Sequence, residues 1–289
     1  MDKDKEKEIK LVFYECEKQM RKIMDFLTEH QKEIPNYKGW VWLQGRLMYQ
    51  PEILFVGFNP GQGKDWNCDF KLPFTGERQL TFFEDNNAYW NVNRLEDTHW
   101  WEKNKDNRLH SFAWQTLDIL DKVAFDVYHE KVMDGKSIPR WGRDPKNENA
   151  LGGKITFINL YPIATEKEDK LGQILTRLKN KNCFEDENAN FGKNWFRKLF
   201  FINNLKCLIK VMEPKLIVCM GTATYQDFTG DERQTECKKS IYYDSNKPEY
   251  HNVIGFDRSG TWNTEEIATG ISNLLKELGP SKCLISDEK

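Results

Sequence analysis

The most regular feature of the chain is the alternation of apolar runs with amphipathic stretches. Apolar residues recur at helical spacing between about residues 5 and 34, which predicts an N-terminal amphipathic helix. Further along, the continuous apolar runs "EILFVGF", "KITFIN", "KLIVCMG" and "NVIGF" are interspersed with helical patterns. Such runs are typical of strands that are buried on both faces. The pattern predicts an α/β fold, a three-layer α-β-α sandwich around a central parallel four-stranded sheet.

The segment of about residues 86–149 has a different texture. It is rich in Asn, Asp, Trp and Arg, and it contains one clear helical pattern, "FAWQTLDILDKVAFDVYHEKVM". Because its apolar content is too low for a core of its own, we interpret it as a cap-like insertion. The chain is therefore predicted to form a single domain over residues 1–289.

Composition and charge narrow the class of protein. With 30% charged residues, a charged N-terminus and no apolar run of membrane-spanning length, the chain is expected to be cytoplasmic and to have no membrane partner. The seven cysteines contain no C-x-x-C pair, so neither a disulfide framework nor a metal cluster is expected. A net charge of −2 neither indicates nor excludes a nucleic-acid partner. We expect a monomer that needs no cofactor.

The stretch "EILFVGFNPGQGKDW" superficially resembles a phosphate-binding loop, but its spacing does not fit one. The P-loop pattern places a glycine where this chain has Phe58 and a hydroxyl residue where it has Asp65. Pro60 also removes one of the backbone N–H groups that would bind a phosphate. A different explanation of this loop is needed.

The residues that follow the predicted strands are the candidates for a binding site, because ligands of parallel sheets bind at the carboxyl ends of the strands. These residues are Asn59-Pro60-Gly61, Asn159, Gly221-Thr222 and Asp257-Arg258-Ser259. They form no catalytic triad. Amides do not titrate, but they can hold a water or bind the edge of a planar heterocycle such as a nucleobase. Asparagines at strand ends also often cap turns, and both interpretations stay open.

Four motifs resemble those of the uracil-DNA glycosylase superfamily. "VGFNPG" followed by "LPFTGE" resembles its first motif, and "FINLYP" resembles its second strand-end asparagine. "EPKLIVCMGTATYQDFTG" is similar to its Pro-Lys-strand-Gly-x-x-Ala segment, and "VIGFDRSGTW" to its last strand and DNA-inserting loop. The motifs occur in the family's order and cover about residues 53–278, apart from the insertion.

The resemblance implies a monofunctional DNA glycosylase that flips a pyrimidine out of DNA and hydrolyses its N-glycosidic bond. Phe74 would stack on the flipped base, Asn159 would bind its edge, and Asn59 would position the attacking water. Other implied base-binding residues are Gly57, Phe58, Pro60, Gly61 and Gln62, and the backbone amides of the Gly61-Gln62-Gly63 turn would stabilise the departing base. The implied DNA-binding residues are Lys64, Gly221, Thr222, Arg258, Ser259, Gly260 and Trp262.

One candidate catalytic residue departs from the family pattern. Many members carry a histidine where this chain has Asp257, and an ionised carboxylate there would repel the departing base. Asp257 must therefore be protonated, paired with Arg258 or directed elsewhere. The thymine/mismatch-specific branch also lacks this histidine and also has an asparagine in its first motif, so the chain resembles that branch most.

Three functional hypotheses follow, and the first of them, a DNA glycosylase, has two candidate substrate classes. The small or flexible residues Gly61, Gln62 and Gly63 and the large insertion favour a pocket for bulky 5-modified cytosines of phage DNA, which implies antiviral defence. Uracil or mismatched thymine, in base excision repair, is the other substrate class. The alternatives to a DNA glycosylase are a non-catalytic nucleic-acid-binding protein on the same fold and an enzyme of free nucleotides.

Overall fold

The structure of the chain is a computed structural model. It describes residues 3–30, 32–37, 39–40, 42–43, 47–59, 111–129, 154–165, 168–180, 200–230, 241–242, 250–258 and 263–279. In chain order the strands in these ranges are β1 (Gly39–Trp40), β2 (Ile53–Gly57), β3 (Ile155–Asn159), β4 (Ile163–Ala164), β5 (Leu216–Met220), β6 (Ile241–Tyr242) and β7 (Val253–Phe256). The helices are α1 (Lys3–Glu29), α2 (Ser111–Val123), α3 (Glu168–Asn180), α4 (Phe201–Met212), α5 (Thr222–Thr229) and α6 (Thr264–Glu277).

The central sheet contains four parallel strands side by side in the order β3, β2, β5 and β7. Each of them is a short apolar run, and their residues are buried apart from the half-buried Gly57. The predicted four-stranded parallel sheet is therefore confirmed. At the far edge β6 adds an antiparallel strand beside β7, which the apolar pattern did not predict.

Helices cover both faces of the sheet, which confirms the three-layer architecture. Alternate residues of each strand point to opposite faces. Leu54 and Val56 face one core together with apolar residues of α1, α3, α4 and α5, while Ile53 and Phe55 face a second core together with α2 and α6. Each large apolar side chain that is fully buried in these cores stabilises the fold by about 1.5–3 kcal/mol.

The N-terminal helix belongs to the first of these layers. Its apolar stripe is buried, and Phe13 stacks on Trp42 with ring centroids 5.3 Å apart. The thiol of Cys16 donates to the Asn204 carbonyl oxygen of α4 at 3.4 Å. The helix ends at Glu29, earlier than predicted, because the chain turns at His30, whose carbonyl oxygen accepts bonds from two following backbone N–H groups.

The described part of the segment 86–149 packs on the second face. Ile119, Leu120 and Val123 of α2 are buried against the sheet and α6. A π-helical turn, Ala124–Tyr128, continues α2 and ends at a left-handed His129. The rest of the predicted cap-like segment lies outside the described residues. None of the helices in the described ranges combines the length and apolar content that a membrane crossing needs.

Candidate functional site

The carboxyl edge of the parallel sheet brings the predicted strand-end residues together. Since β3, β2, β5 and β7 are neighbours and run in the same direction, their ends form one row. Along this row lie Asn159, then Asn59, then Gly221, then Asp257. The topology therefore places the residues inferred from the strand ends at a common edge, as expected for a crevice in an α/β fold.

Asn159 ends β3 and is only 3% exposed. Its backbone N–H donates to the Trp42 carbonyl oxygen at 2.8 Å, and its register partner on β2 is Gly57. A Cβ atom at Gly57 would lie 3.0 Å from Asn159 Oδ1, closer than carbon and oxygen normally approach. The space left by the glycine at position 57 is therefore filled by the Asn159 amide.

Asn59 lies just beyond β2, and two hydrogen bonds fix its amide group. Its Nδ2 donates to the Ile163 carbonyl oxygen of β4 at 3.0 Å and to Thr165 Oγ1 at 2.8 Å. A backbone carbonyl only accepts, so the atom that faces Ile163 must be the amide nitrogen. Both N–H groups of this amide are thus committed to the β4 segment, and the remaining atom of the amide, Oδ1, is an acceptor.

Thr165 is a site residue that the sequence patterns did not indicate. It is completely buried, and its hydroxyl accepts the Asn59 bond. It reaches Asn59 because β4 turns back to pair with β1, with Ala164 opposite Gly39. A two-residue strand has no periodicity, so no local signal could have revealed this contact.

The loops after β2 and β3 stay paired beyond the sheet. Leu160 N–H donates to the Gly57 carbonyl oxygen at 2.7 Å, and Tyr161 N–H donates to that of Phe58 at 2.9 Å. The Phe58 ring is buried and meets the Tyr161 ring edge-on, with centroids 4.9 Å apart. Phe58 was predicted to bind a base, but its ring belongs to the core, so such a contact would have to involve its backbone.

Gly221 connects β5 to α5 in a conformation that favours glycine. Its φ is +110°, and its N–H donates to the Phe256 carbonyl oxygen at 2.9 Å. The Arg258 side chain packs over this glycine: a Cβ atom placed at Gly221 would lie 3.5 Å from Arg258 Cδ. One point of the edge therefore brings together Gly221, Arg258 and Thr222, which is the first residue of α5.

Asp257 and Arg258 follow β7, with Asp257 half-buried and Arg258 exposed. They put an acidic and a basic side chain at the end of the row occupied by the amides. His251 precedes β7 at the opposite end of that strand. None of the described histidines follows a parallel strand, so the described part of this edge carries no imidazole group that could act as an acid or a base.

The remaining predicted site residues lie outside the described residues, and their roles stay predictions. They are Pro60, Gly61, Gln62, Lys64, Phe74, Ser259, Gly260 and Trp262. In the described part of the chain, no group of three or more His, Cys, Asp and Glu side chains is arranged to hold a metal ion. The described part of the edge offers the fixed amide of Asn59, the buried amide of Asn159, a buried hydroxyl, one carboxylate and one guanidinium group.

Comparisons with protein-family models and with curated proteins gave no significant match to this chain. Apart from Asp257 and Arg258, the described part of the edge carries hydrogen-bond donors and acceptors that do not titrate. Such groups can orient a water molecule or bind a planar ring with mixed donors and acceptors.

Proposed function

We propose that this chain is a monofunctional DNA glycosylase, which hydrolyses the N-glycosidic bond of a flipped pyrimidine and leaves an abasic site. The observation that supports the proposal most is the pair of amides at the carboxyl ends of two adjacent parallel strands, with the Asn59 amide fixed by hydrogen bonds to Ile163 and Thr165. A locked amide presents its oxygen in one direction without reorganisation, which favours a positioning role over a turn-capping role.

In the proposed mechanism Asn159 recognises the base. Its amide is buried beside Gly57, and an amide can both donate and accept, so a base that enters the crevice would meet a desolvated group able to bind its edge. Hydrogen bonds made in a desolvated site discriminate strongly between correct and incorrect partners, because an unmatched polar group stays unpaired. The target must leave the base stack to reach this position.

Asn59 would direct the attacking water through Oδ1. Cleavage moves the bonding electron pair of the glycosidic bond onto the base, and the sugar develops positive charge at C1′ early in the reaction. The water oxygen then bonds to C1′ and its proton passes to solvent, so a well-placed water needs no strong base. This fits an edge whose oriented groups are amides.

The other end of the row would contact the DNA backbone. Arg258 is exposed above Gly221, near the first turn of α5, where a guanidinium group and backbone N–H groups favour a phosphate. Asp257 is half-buried beside it. We propose that Asp257 acts away from the departing base, since its negative charge would oppose the charge of that base.

The substrate class that we favour is a bulky 5-modified cytosine of phage DNA, which would make the protein an antiviral defence enzyme. This preference comes from the small or flexible residues Gly61, Gln62 and Gly63 that follow Asn59 and from the long segment 86–149. Uracil and mismatched thymine are the competing substrates, and the experiment below separates the three.

The proposal is tested by incubating the protein with duplexes that carry uracil, a G·T mismatch or glucosylated hydroxymethylcytosine, followed by alkali. We expect strand cleavage at the modified cytosine and a loss of about a hundredfold or more in rate for Asn59→Ala. Thr165→Val, which retains the shape but removes the acceptor of the Asn59 bond, should show a smaller loss.

Three outcomes contradict the proposal in different ways. DNA binding without alkali-sensitive sites on any duplex would indicate a non-catalytic nucleic-acid-binding protein. Cleavage of the uracil duplex alone would retain the glycosylase but remove the defence role. An Asn59→Ala variant with the activity of the unmodified protein would exclude the site described here.

A further inference from the structure

Tyr161 is a buried residue that joins three parts of the carboxyl edge. It has no exposed surface and follows β3 by two positions. Its backbone N–H bonds to the Phe58 carbonyl oxygen, its ring packs edge-on against Phe58 and Phe201, and its hydroxyl donates to Asp227 Oδ2 of α5 at 2.8 Å. The loop after β2, the loop after β3 and helix α5 therefore all meet at Tyr161.

The segment that Tyr161 holds carries the groups on which both amides depend. Asn159 lies just before Tyr161, and the Ile163 carbonyl and the Thr165 hydroxyl, which bind the Asn59 amide, lie just after it. A shift of this segment would move the recognising amide and reorient the second amide at the same time. The bond to Asp227 fixes the segment relative to α5, whose first residue lies at the same edge.

We propose that the Tyr161–Asp227 hydrogen bond positions the Asn59 and Asn159 amides, so that Tyr161 is a positioning residue of this site. The expected effect on excision rests on the proposed glycosylase function. The expected effect on the orientation of the Asn59 amide is independent of that function. A phenol that donates to a carboxylate makes a charge-assisted bond, which is shorter and stronger than a bond between neutral groups. Such a bond can hold a loop segment within the narrow tolerance that oriented catalysis requires.

The chain offers a matched control for the loss of a tyrosine hydroxyl. Tyr128 OH donates to Glu52 Oε2, also at 2.8 Å, but Glu52 immediately precedes β2 and lies at the opposite edge of the sheet. Tyr128→Phe removes the same kind of bond far from the amides. If Tyr161→Phe changes excision or amide exchange and Tyr128→Phe does not, the effect comes from the place of the Tyr161 bond at the carboxyl edge and not from losing a phenol–carboxylate bond in general.

The first measurement is single-turnover excision, with enzyme in excess, on the duplex from which the unmodified protein removes a base fastest. Tyr161→Phe and Asp227→Leu should each lower the rate about tenfold, with DNA affinity changed less than about twofold. Asp227→Asn keeps an acceptor for the phenol and should restore most of the rate. Combining Tyr161→Phe with Asp227→Leu should cost little more than either change alone, because both remove one bond.

The second measurement needs no activity. The side-chain amide protons of Asn59, assigned in ¹H–¹⁵N spectra by their loss in Asn59→Asp, should exchange with water faster in Tyr161→Phe than in the unmodified protein. Tyr128→Phe should leave their exchange unchanged. Equal exchange in Tyr161→Phe and the unmodified protein would overturn the positioning role, as would an excision rate within about twofold of the unmodified protein. If the unmodified protein excises no base, the glycosylase proposal fails, and the exchange measurement still decides whether Tyr161 positions Asn59.

Discussion

The absent side chain of Gly57 makes room for the Asn159 amide. In the β2–β3 register the two residues face each other, and a Cβ atom at position 57 would lie 3.0 Å from Oδ1. Asn159 is buried and cannot swing into solvent to relieve the contact. Gly57→Ala should therefore destabilise the fold by about 1–3 kcal/mol, as overpacking does. It should also lower the excision rate about tenfold, because the amide is displaced.

A glycine elsewhere in the chain provides the control for this prediction. Gly172 lies in α3, and a Cβ there would meet no atom within 4 Å. Gly172→Ala should raise stability by about 0.5–1 kcal/mol through helix propensity and leave excision unchanged. Thermal melts and single-turnover rates of both variants test the pair. If Gly57→Ala lost stability but excised its base at the normal rate, Asn159 would not be the recognising amide.

Helix α1 carries a buried carboxylate that makes its packing depend on pH. Burial raises the pKa of Glu17 to about 7, and Arg21, whose Nη2 lies 3.6 Å from Glu17 Oε1, opposes the shift. The folded protein therefore keeps the proton over a range in which the unfolded chain has lost it. Stability contributed by the protonated Glu17 is complete below the unfolded pKa and declines as pH rises towards 7, where the decline ends.

Replacing this carboxylate should remove that pH dependence. Glu17→Gln should match the unmodified protein near pH 4.5 and exceed its free energy of unfolding by about 3 kcal/mol at pH 8. Urea titrations at several pH values measure the difference. Arg21→Gln should extend the decline to higher pH, since it removes the charge that opposes the shift. Parallel stability curves for Glu17→Gln and the unmodified protein would contradict this account of α1.

Across the sheet as a whole, the sequence predicts the strands and strand-end residues that depend on the local pattern of apolar residues. β2, β3, β5 and β7 are apolar runs whose burial is visible in the chain itself, and Asn59 and Asn159 followed from their positions after two of these strands. β4 and β6 have two residues each and exist because a neighbouring strand offers main-chain partners. Thr165 reaches Asn59 through β4, so its contact depends on distant pairing and leaves no local signal.

The proposed chemistry lies at the carboxyl edge of the sheet, whereas a buried ion pair at the amino edge contributes to stability. Replacing a residue of this pair tests whether the two edges are independent. Lys215 Nζ lies 3.1 Å from Glu52 Oε2, both side chains are at most 10% exposed, and Tyr128 donates to the same oxygen. Removing one partner of such a pair leaves an uncompensated charge and costs about 3–5 kcal/mol. Lys215→Met should therefore lower the denaturation midpoint strongly.

Excision by the folded Lys215→Met protein should nevertheless stay within about twofold of normal, because independent distant sites rarely couple. A five-residue strand at about 3.3 Å per residue separates this pair from the amides by roughly 16 Å. Combining Lys215→Met with Glu52→Gln should recover part of the lost stability, since no unpaired charge then remains. Rates measured well below the melting temperature decide the matter. A tenfold slower Lys215→Met protein that is fully folded would mean that the amino edge also controls the amides, through the strands that connect them.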